Sequence, residues 1–239
     1  MLKRVSLKAR KAGAMIALLS AEMLAILVIF ILALLALAYL IRNVIVLHRT
    51  GFDQKVFGYL QSHINPENTD IMLFFTFLGT HKFLIPANLV LIAYFLFVQK
   101  HKWYAIKVPA IALSSLALMF GLKHLFHRQR PDVPLVFKAE GLSFPSGHAL
   151  FSVTFYGLLV YIIFKMVENK GVKWTLILFL LLLMPVIGFS RVYLRVHYAS
   201  DVIAGFCVGI IWLVVTIWLL NRIEAYSRRN EQKVLEKAV

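Results

Sequence analysis

The 239-residue chain has few charged residues and almost no cysteine. Only 15% of its residues are charged and 61% are hydrophobic, and its mean hydropathy is +0.80. A soluble domain has about 25% charged and about 45–50% apolar residues. The composition therefore excludes a disordered chain and disfavours a water-soluble domain. The single cysteine, Cys207, excludes an intramolecular disulfide framework and a multi-cysteine zinc site.

Acidic residues are especially scarce, because 11 Asp and Glu stand against 26 Lys and Arg, for a formal net charge of +15. In a soluble protein this excess would suggest nucleic-acid binding. In a membrane protein it more simply indicates loops held at the cytoplasmic face. We therefore expect membrane lipids, and no nucleic acid, as partners. The sequence leaves the oligomeric state open.

Six stretches of 15–20 residues contain no Asp, Glu, Lys or Arg. They are 23–41, 83–99, 108–122, 148–164, 174–190 and 202–221. A bilayer core about 30 Å thick needs about 20 helical residues to cross it. The pattern predicts an all-α polytopic membrane protein with six transmembrane helices. The first stretch lacks a clear small-residue cleavage site after it, so we interpret it as a permanent span.

The chain shows no linker, repeat or low-complexity tract. We therefore predict one membrane domain, 23–221, between two basic cytoplasmic tails, 1–22 and 222–239. Placing both termini in the cytoplasm also puts most Lys and Arg residues on that side, as the positive-inside rule expects.

The segment between the first two predicted spans is expected to form short amphipathic surface helices. Apolar residues recur there near helical spacing: Phe52, Val56, Tyr59, Leu60 and Ile64. A break follows at residues 65–68, and Asn68 or Thr69 is expected to cap a second helix that reaches Leu78. Two roles remain open for this segment, a packed lid and a surface beside an entry path for lipid.

Three polar segments fall on the predicted outer face, after the third span, before the fourth and after the fifth. Their basic residues include Lys123, Arg130 and Arg191. A phosphate monoester carries nearly two negative charges, and its equatorial oxygens need fixed cations during phosphoryl transfer. Arginine supplies a planar fork for phosphate oxygens and lysine a point charge. The pattern favours a phosphate site.

The start of the fourth span reads Pro145-Ser146-Gly147-His148. Ser146 is a good N-cap residue, and Gly147 permits close approach of the backbone. The first amides of a helix form an anion site. A bare helix start would explain the serine and the glycine, but it does not explain the histidine.

His197 and Asp201 lie four residues apart, which places both on one face if the sixth helix begins near His197. The carboxylate could then hold one ring nitrogen and leave the other free to attack. An ordinary polar pair capping the helix is the alternative. Together with His148, the pair would allow one histidine to attack phosphorus and the other to transfer protons.

These spacings resemble the type 2 phosphatidic acid phosphatase family, with its three-part signature. The signature is a lysine followed after six residues by Arg-Pro, then Pro-Ser-Gly-His, then Ser-Arg, five residues, His, three residues and Asp. The matching residues here are Lys123, Arg130, Pro131, Pro145, Ser146, Gly147, His148, Ser190, Arg191, His197 and Asp201. All three parts match in order and spacing, and six spans is also the family's membrane arrangement.

The resemblance implies a role for each matching residue. His197 would be the nucleophile, Asp201 its orienting partner and His148 the acid and base. The phosphate would be held by Lys123, Arg130, Ser146, Gly147 and Arg191. No metal or other cofactor is implied. Two positions depart from many relatives, Arg195 in place of glycine and Ala199 in place of proline, and Arg128 could assist Arg130.

The function implied by the resemblance is hydrolysis of a lipid phosphate at the outer face of the cell membrane. Undecaprenyl diphosphate, phosphatidylglycerophosphate, phosphatidate and lipid A phosphates are the candidate substrates. A transporter is an alternative, although transporters usually place ionisable groups within their spans. A vanadate-dependent haloperoxidase shares the signature, but such relatives are soluble.

Overall fold

The computed structural model describes residues 2–137 and 139–238. It is 81% helical, and the described residues form no strand. Six of its helices are long and apolar enough to cross a membrane. The predicted all-α, six-span fold class is therefore confirmed.

Eight α-helices follow one another within residues 2–137 and 139–238. They are α1 (Leu2–Leu40), α2 (Gly51–Gln61), α3 (Pro66–Leu78), α4 (His81–Ala93), α5 (Lys102–Phe126), α6 (Gly147–Met166), α7 (Lys170–Tyr193) and α8 (Ala199–Ala238). Wider π-helical turns extend α1 through Ile41–Val46 and α4 through Tyr94–Val98. The candidate spans lie in α1 and in α4 to α8, whereas α2 and α3 are the short helices expected between the first two spans.

The first and last helices are much longer than the uncharged stretches that predicted them. α1 has 39 residues and α8 has 40, and at 1.5 Å per residue each is about 60 Å long. This is about twice the thickness of a bilayer core. Both helices run without a break through the proposed domain boundaries, at 22 and 222. The cytoplasmic placement of the two basic tails stays a prediction.

α6 lies at the centre of the bundle, where it packs against α7 and α8. Gly205 and Gly209 of α8 face it one turn apart. A Cβ atom on Gly205 would lie 2.5 Å from the carbonyl oxygen of Ser146, and one on Gly209 would lie 3.0 Å from that of Leu150. Small residues at this spacing let two membrane helices approach closely. The approach fixes the start of α6 against the start of α8.

The predicted cap of α3, Asn68 or Thr69, is wrong by three or four residues. The cap is Asn65, whose side-chain oxygen accepts a hydrogen bond from the Asn68 amide at 2.7 Å. Pro66 then occupies the first helical position, where a missing N–H costs nothing and the fixed φ suits the helix. The Thr69 hydroxyl instead donates to the Asn65 carbonyl.

Only part of the apolar stripe predicted for α2 is buried. Leu60 is buried against α6, α7 and α8, while Phe52 and Tyr59 remain 54% and 70% exposed. The inward face also carries an acidic residue, Asp53, which is 1% exposed. α2 therefore packs on the same helix ends that carry the phosphatase signature.

Candidate active site

The residues of the signature meet at one end of the helix bundle. Lys123 and Arg191 lie in the last turns of α5 and α7, whereas His148 and Asp201 lie in the first turns of α6 and α8. Because successive spans alternate in direction, these four ends lie on the same side. His197 lies in the connection between α7 and α8.

His197 is 2% exposed, and both of its ring nitrogens have neighbours. Nε2 lies 3.1 Å from Nη1 of Arg130, while Nδ1 lies 3.2 Å from the hydroxyl of Ser143 and 3.5 Å from the carboxylate of Asp201. A guanidinium can only donate, so Nε2 accepts and the ring hydrogen belongs on Nδ1. Nε2 therefore has a lone pair directed toward the cationic side of the site.

The electrostatic surroundings keep this imidazole neutral. Burial, followed by the positive charges of Arg130, Arg191 and Lys123, holds the pKa of His197 well below its usual 6.5. A neutral ring whose Nε2 carries no hydrogen is the form that can attack phosphorus.

Ser143, which has no place in the three-part signature, connects the predicted histidine and aspartate. Its hydroxyl donates to Asp201 at 2.5 Å and lies beside Nδ1 of His197. The same carboxylate oxygen accepts the Tyr198 amide at 3.0 Å. Ser143 is fully buried. Asp201 therefore reaches the ring partly through this serine, an arrangement that the four-residue spacing alone did not indicate.

Three buried polar atoms in the site have no hydrogen-bond partner within the described part of the chain. They are Oγ of Ser146, Nε2 of His148 and Nε of Arg191. Leaving such an atom unpaired costs about 1–3 kcal/mol. A bound phosphate would supply acceptors for the arginine and a partner for the other two. The unpaired atoms therefore mark a place prepared for an anion.

The start of α6 agrees with this interpretation. Ser146 occupies the N-cap position, yet its side chain forms no cap hydrogen bond, so its hydroxyl stays available. A Cβ atom on Gly147 would meet Phe151 and Met119 at ordinary distances of 3.6 Å and 3.7 Å. The protein itself therefore leaves room for a side chain at Gly147, and any need for glycine there would come from the ligand.

The three cations are held by neutral oxygen atoms rather than by carboxylates. Lys123 donates to the Leu142 carbonyl. Arg130 donates to the carbonyls of Gly141 and Val196 at 2.9 Å and 2.8 Å, and burial lowers its pKa. Arg191, 4% exposed, donates to the Thr76 hydroxyl at 2.6 Å. Three clustered cations held in this way favour binding of a multiply charged anion.

Charges from all sides of the site act on His148. The cations that contribute are Arg191, Arg130 and Lys123. The fold thus brings the two histidines and the three cations into one electrostatic environment, as the resemblance implies. Their individual catalytic roles stay predictions.

Arg128 and Arg195 bind partners other than those of Lys123, Arg130 and Arg191. Arg128 forms ion pairs with Asp53 at 2.8 Å and Asp201 at 2.5 Å. Arg195 adopts φ of 53°, donates to Gln61 and lies over the Phe57 ring. This second arginine ties the α7–α8 connection to α2, a role not foreseen in the sequence. Asp53 was missed as well, because no spacing pattern links it to the signature.

Comparison with known proteins supports the same family. Residues 103–224 match the model of the PAP2 superfamily. Phosphatidylglycerophosphatase B of Bacillus subtilis is 30% identical over 70% of this chain and 81% of its own length. Undecaprenyl-diphosphatase BcrC of the same organism is 30% identical over 63% of this chain and 74% of its own length.

Two solved structures share the architecture. A transmembrane PAP2-type phosphatidylglycerolphosphate phosphatase from Bacillus subtilis superposes with a TM-score of 0.71 at 24% identity, covering 83% of this chain and 96% of that one. Aquifex aeolicus LpxE superposes with a TM-score of 0.53 at 28% identity, covering 69% and 93%. The family match spans the third to sixth membrane helices and every signature residue, and the chain therefore belongs to the PAP2 superfamily.

Proposed function

We propose that this protein is an integral membrane lipid phosphatase that works through a phosphohistidine at His197. The observation that carries the proposal is the set of unpaired buried atoms, Ser146 Oγ, His148 Nε2 and Arg191 Nε, beside a neutral His197. This arrangement offers a nucleophile and an anion site at the same point. Membership of the PAP2 superfamily supports hydrolysis rather than transport.

The chemistry proceeds in two steps. Nε2 of His197 attacks phosphorus, so a P–N bond forms while the P–O bond to the lipid breaks, and His148 protonates the departing oxygen. His148 then removes a proton from water, which attacks the phosphohistidine, breaks the P–N bond and releases inorganic phosphate. Lys123, Arg130 and Arg191 stabilise the charge on the phosphoryl oxygens in both steps.

The proposed substrates are lipid phosphates or diphosphates. The names of the relatives support phosphatidylglycerophosphate and undecaprenyl diphosphate as the first compounds to test. A cavity of about 720 Å³ between α1 and α2 also supports a lipid. Its lining contains apolar Leu40 and Ile203 as well as basic Arg49 and Lys55. Asp53, at the edge of the site, also lines it. Of the two roles left open for this segment, we favour the lipid path.

The site is proposed to face the periplasm or the exterior of the cell membrane. It lies at the ends of α5 and α7 and the starts of α6 and α8, opposite the ends of the chain in an alternating six-span bundle. The basic residues near both termini support their cytoplasmic placement. A lipid could then keep its tail in the outer leaflet while its phosphate enters the cation cluster.

The proposal is tested by phosphate release from a panel of lipid phosphates in detergent, with and without EDTA. We expect release that survives EDTA and is inhibited by vanadate, because protein cations supply the charge stabilisation. The His197→Ala variant serves as the inactive control. Strict dependence on magnesium, or equal release by His197→Ala, would contradict the mechanism.

A further inference from the structure

α2 places a buried carboxylate against the active site that the three-part signature does not include. Asp53 is 1% exposed and has no role in the two-step chemistry. Its Oδ1 accepts the Ser200 amide at 2.9 Å, and its Oδ2 accepts the Ser200 hydroxyl at 2.7 Å and Nη2 of Arg128 at 2.8 Å. Every one of these partners belongs to an element that carries the signature.

Arg128 carries the connection onward to the carboxylate beside the nucleophile. Its Nη1 donates to Oδ1 of Asp201 at 2.5 Å and to the Ser200 hydroxyl at 2.7 Å. The guanidinium also lies 4.2 Å from the centre of the Tyr198 ring, and its side chain is only 12% exposed. One side of the guanidinium therefore binds Asp53 and the other binds Asp201. Its burial leaves it little freedom to release either carboxylate.

The charges of this cluster suit the reaction proposed above. Two carboxylates, Asp53 and Asp201, share one guanidinium, so the cluster carries one net negative charge. When Nε2 of His197 bonds to phosphorus, Nδ1 keeps its hydrogen and the ring becomes positively charged. Without Asp53, the positive charge of Arg128 would be balanced by Asp201 alone. The negative charge that Asp201 presents to the developing cation on His197 would then be largely cancelled.

We propose that Asp53 is a positioning residue for catalysis, which neutralises and orients Arg128 so that Asp201 can stabilise the phosphorylated His197. This inference rests on the proposed function. It assigns α2 a role in positioning the catalytic groups, because this helix contributes the second carboxylate of the Asp53–Arg128–Asp201 cluster. Asp53 acts through Arg128 and does not touch the phosphate.

The first test compares Asp53→Asn with wild type in detergent, using the lipid phosphate that wild type hydrolyses best. The amide keeps an acceptor for Ser200 but loses the charge. We expect kcat to fall on the order of 10- to 100-fold, the range found for residues that orient the ligands of a metal site, with KM changed less than about twofold. Asp70→Asn is the matched control, because Asp70 is exposed on α3 and forms none of the ion pairs found among the described residues. It should match wild type.

The second test separates this role from simple structural support. The double variant Asp53→Asn/Arg128→Gln leaves Asp201 as the cluster's one ion and so restores its wild-type net charge. We expect its kcat to exceed that of Asp53→Asn and to lie within about tenfold of wild type, whereas purely structural contacts would make the losses accumulate. The double variant is also the one expected to fold if Asp53→Asn alone does not.

Three results would overturn the positioning role. They are a kcat for folded Asp53→Asn within about threefold of wild type, a double variant no faster than Asp53→Asn, or a double variant more than about tenfold slower than wild type. Failure of the proposed function is recognised separately, because wild type itself would then release no phosphate from any lipid tested.

Discussion

At the scale of single residues, the site combines a neutral histidine, the proposed nucleophile, with groups that are fixed before substrate arrives. His197 is held at both ring nitrogens, by Arg130 on one side and by Ser143 and Asp201 on the other. Ser146 and Arg191 each keep one buried polar atom without a partner among the described residues. Preorganised donors of this kind account for much of the rate enhancement in phosphoryl transfer.

Replacement of Ser143 by alanine should slow catalysis without weakening binding. The Asp201 oxygen would lose its 2.5 Å hydrogen bond, and Nδ1 of His197 would lose its bridge to that carboxylate. We expect kcat to fall about 10-fold or more, with KM nearly constant. Ser62→Ala, an exposed serine after α2, is the control, and a Ser143→Ala enzyme as fast as this control would show that the bridge has no catalytic role.

The lowered pKa of His197 predicts a particular pH dependence. Protonation removes the attacking lone pair, and because burial and three cations hold the pKa well below 6.5, this loss should occur only at pH values below that of a free imidazole. The measurement is the pH dependence of p-nitrophenyl phosphate hydrolysis, whose leaving group needs no proton. Half of the maximal rate should be reached below pH 6.5, and a midpoint above 6.5 would contradict a neutral, buried nucleophile.

The sequence predicted the residues of the site better than their partners. Lys123, His148 and His197 occur at spacings that phosphoryl transfer and the family signature both explain. Ser143 and Asp53 follow no such spacing, because they reach Asp201 through the folding of a loop and the docking of α2. Such contacts are set by tertiary packing and leave no local pattern in the chain.

At the scale of elements, the position of the site depends on how closely α6 and α8 approach each other. Gly205 lies against the Ser146 carbonyl, and the Ser146 amide donates to the Asp201 carbonyl at 3.0 Å. The uncharged stretches predicted all six spans. They could not predict where the helices end, because lysine and arginine stems can snorkel and because α1 and α8 continue beyond the thickness of a bilayer.

Gly205→Ala should destabilise the protein and reduce its activity together. The new Cβ would lie 2.5 Å from the Ser146 oxygen and 2.9 Å from the Ala149 Cβ, and overpacking of this kind costs about 1–3 kcal/mol. A lower Tm in detergent and a lower kcat are the expected results. Gly121→Ala is the matched control, since nothing lies within 4 Å of that position and alanine favours a helix; equal Tm values for the two variants would contradict the close approach.

At the scale of the whole molecule, the chain is a six-span bundle with a strong positive charge and an active site at one end. The charge of +15 arises from basic residues near both termini as well as from the cations of the site. The positive-inside rule applied to the sequence therefore predicts an external site, even though several of the charges that oppose the rule belong to the residues proposed to bind phosphate.

The predicted orientation can be measured with introduced cysteines in intact bacterial host cells. In a Cys207→Ala background, Glu67→Cys at the exposed start of α3 should react with a membrane-impermeant maleimide, because this end of α3 lies beside Tyr193 at the end of α7. Arg229→Cys near the end of α8 should react only after the cells are lysed. Labelling of Arg229→Cys alone in intact cells would reverse the orientation and place the site in the cytoplasm.

The most direct test of the account is to trap the phosphoenzyme. Wild type and the His197→Ala and His148→Ala variants would be mixed with a substrate carrying ³²P in the transferred phosphoryl group, quenched in alkali and mapped by mass spectrometry. The account predicts an acid-labile phosphoryl group on His197, absent from His197→Ala and still present in His148→Ala, which lacks the base for hydrolysis. Phosphate release by wild type with no label on His197 in any variant would contradict it.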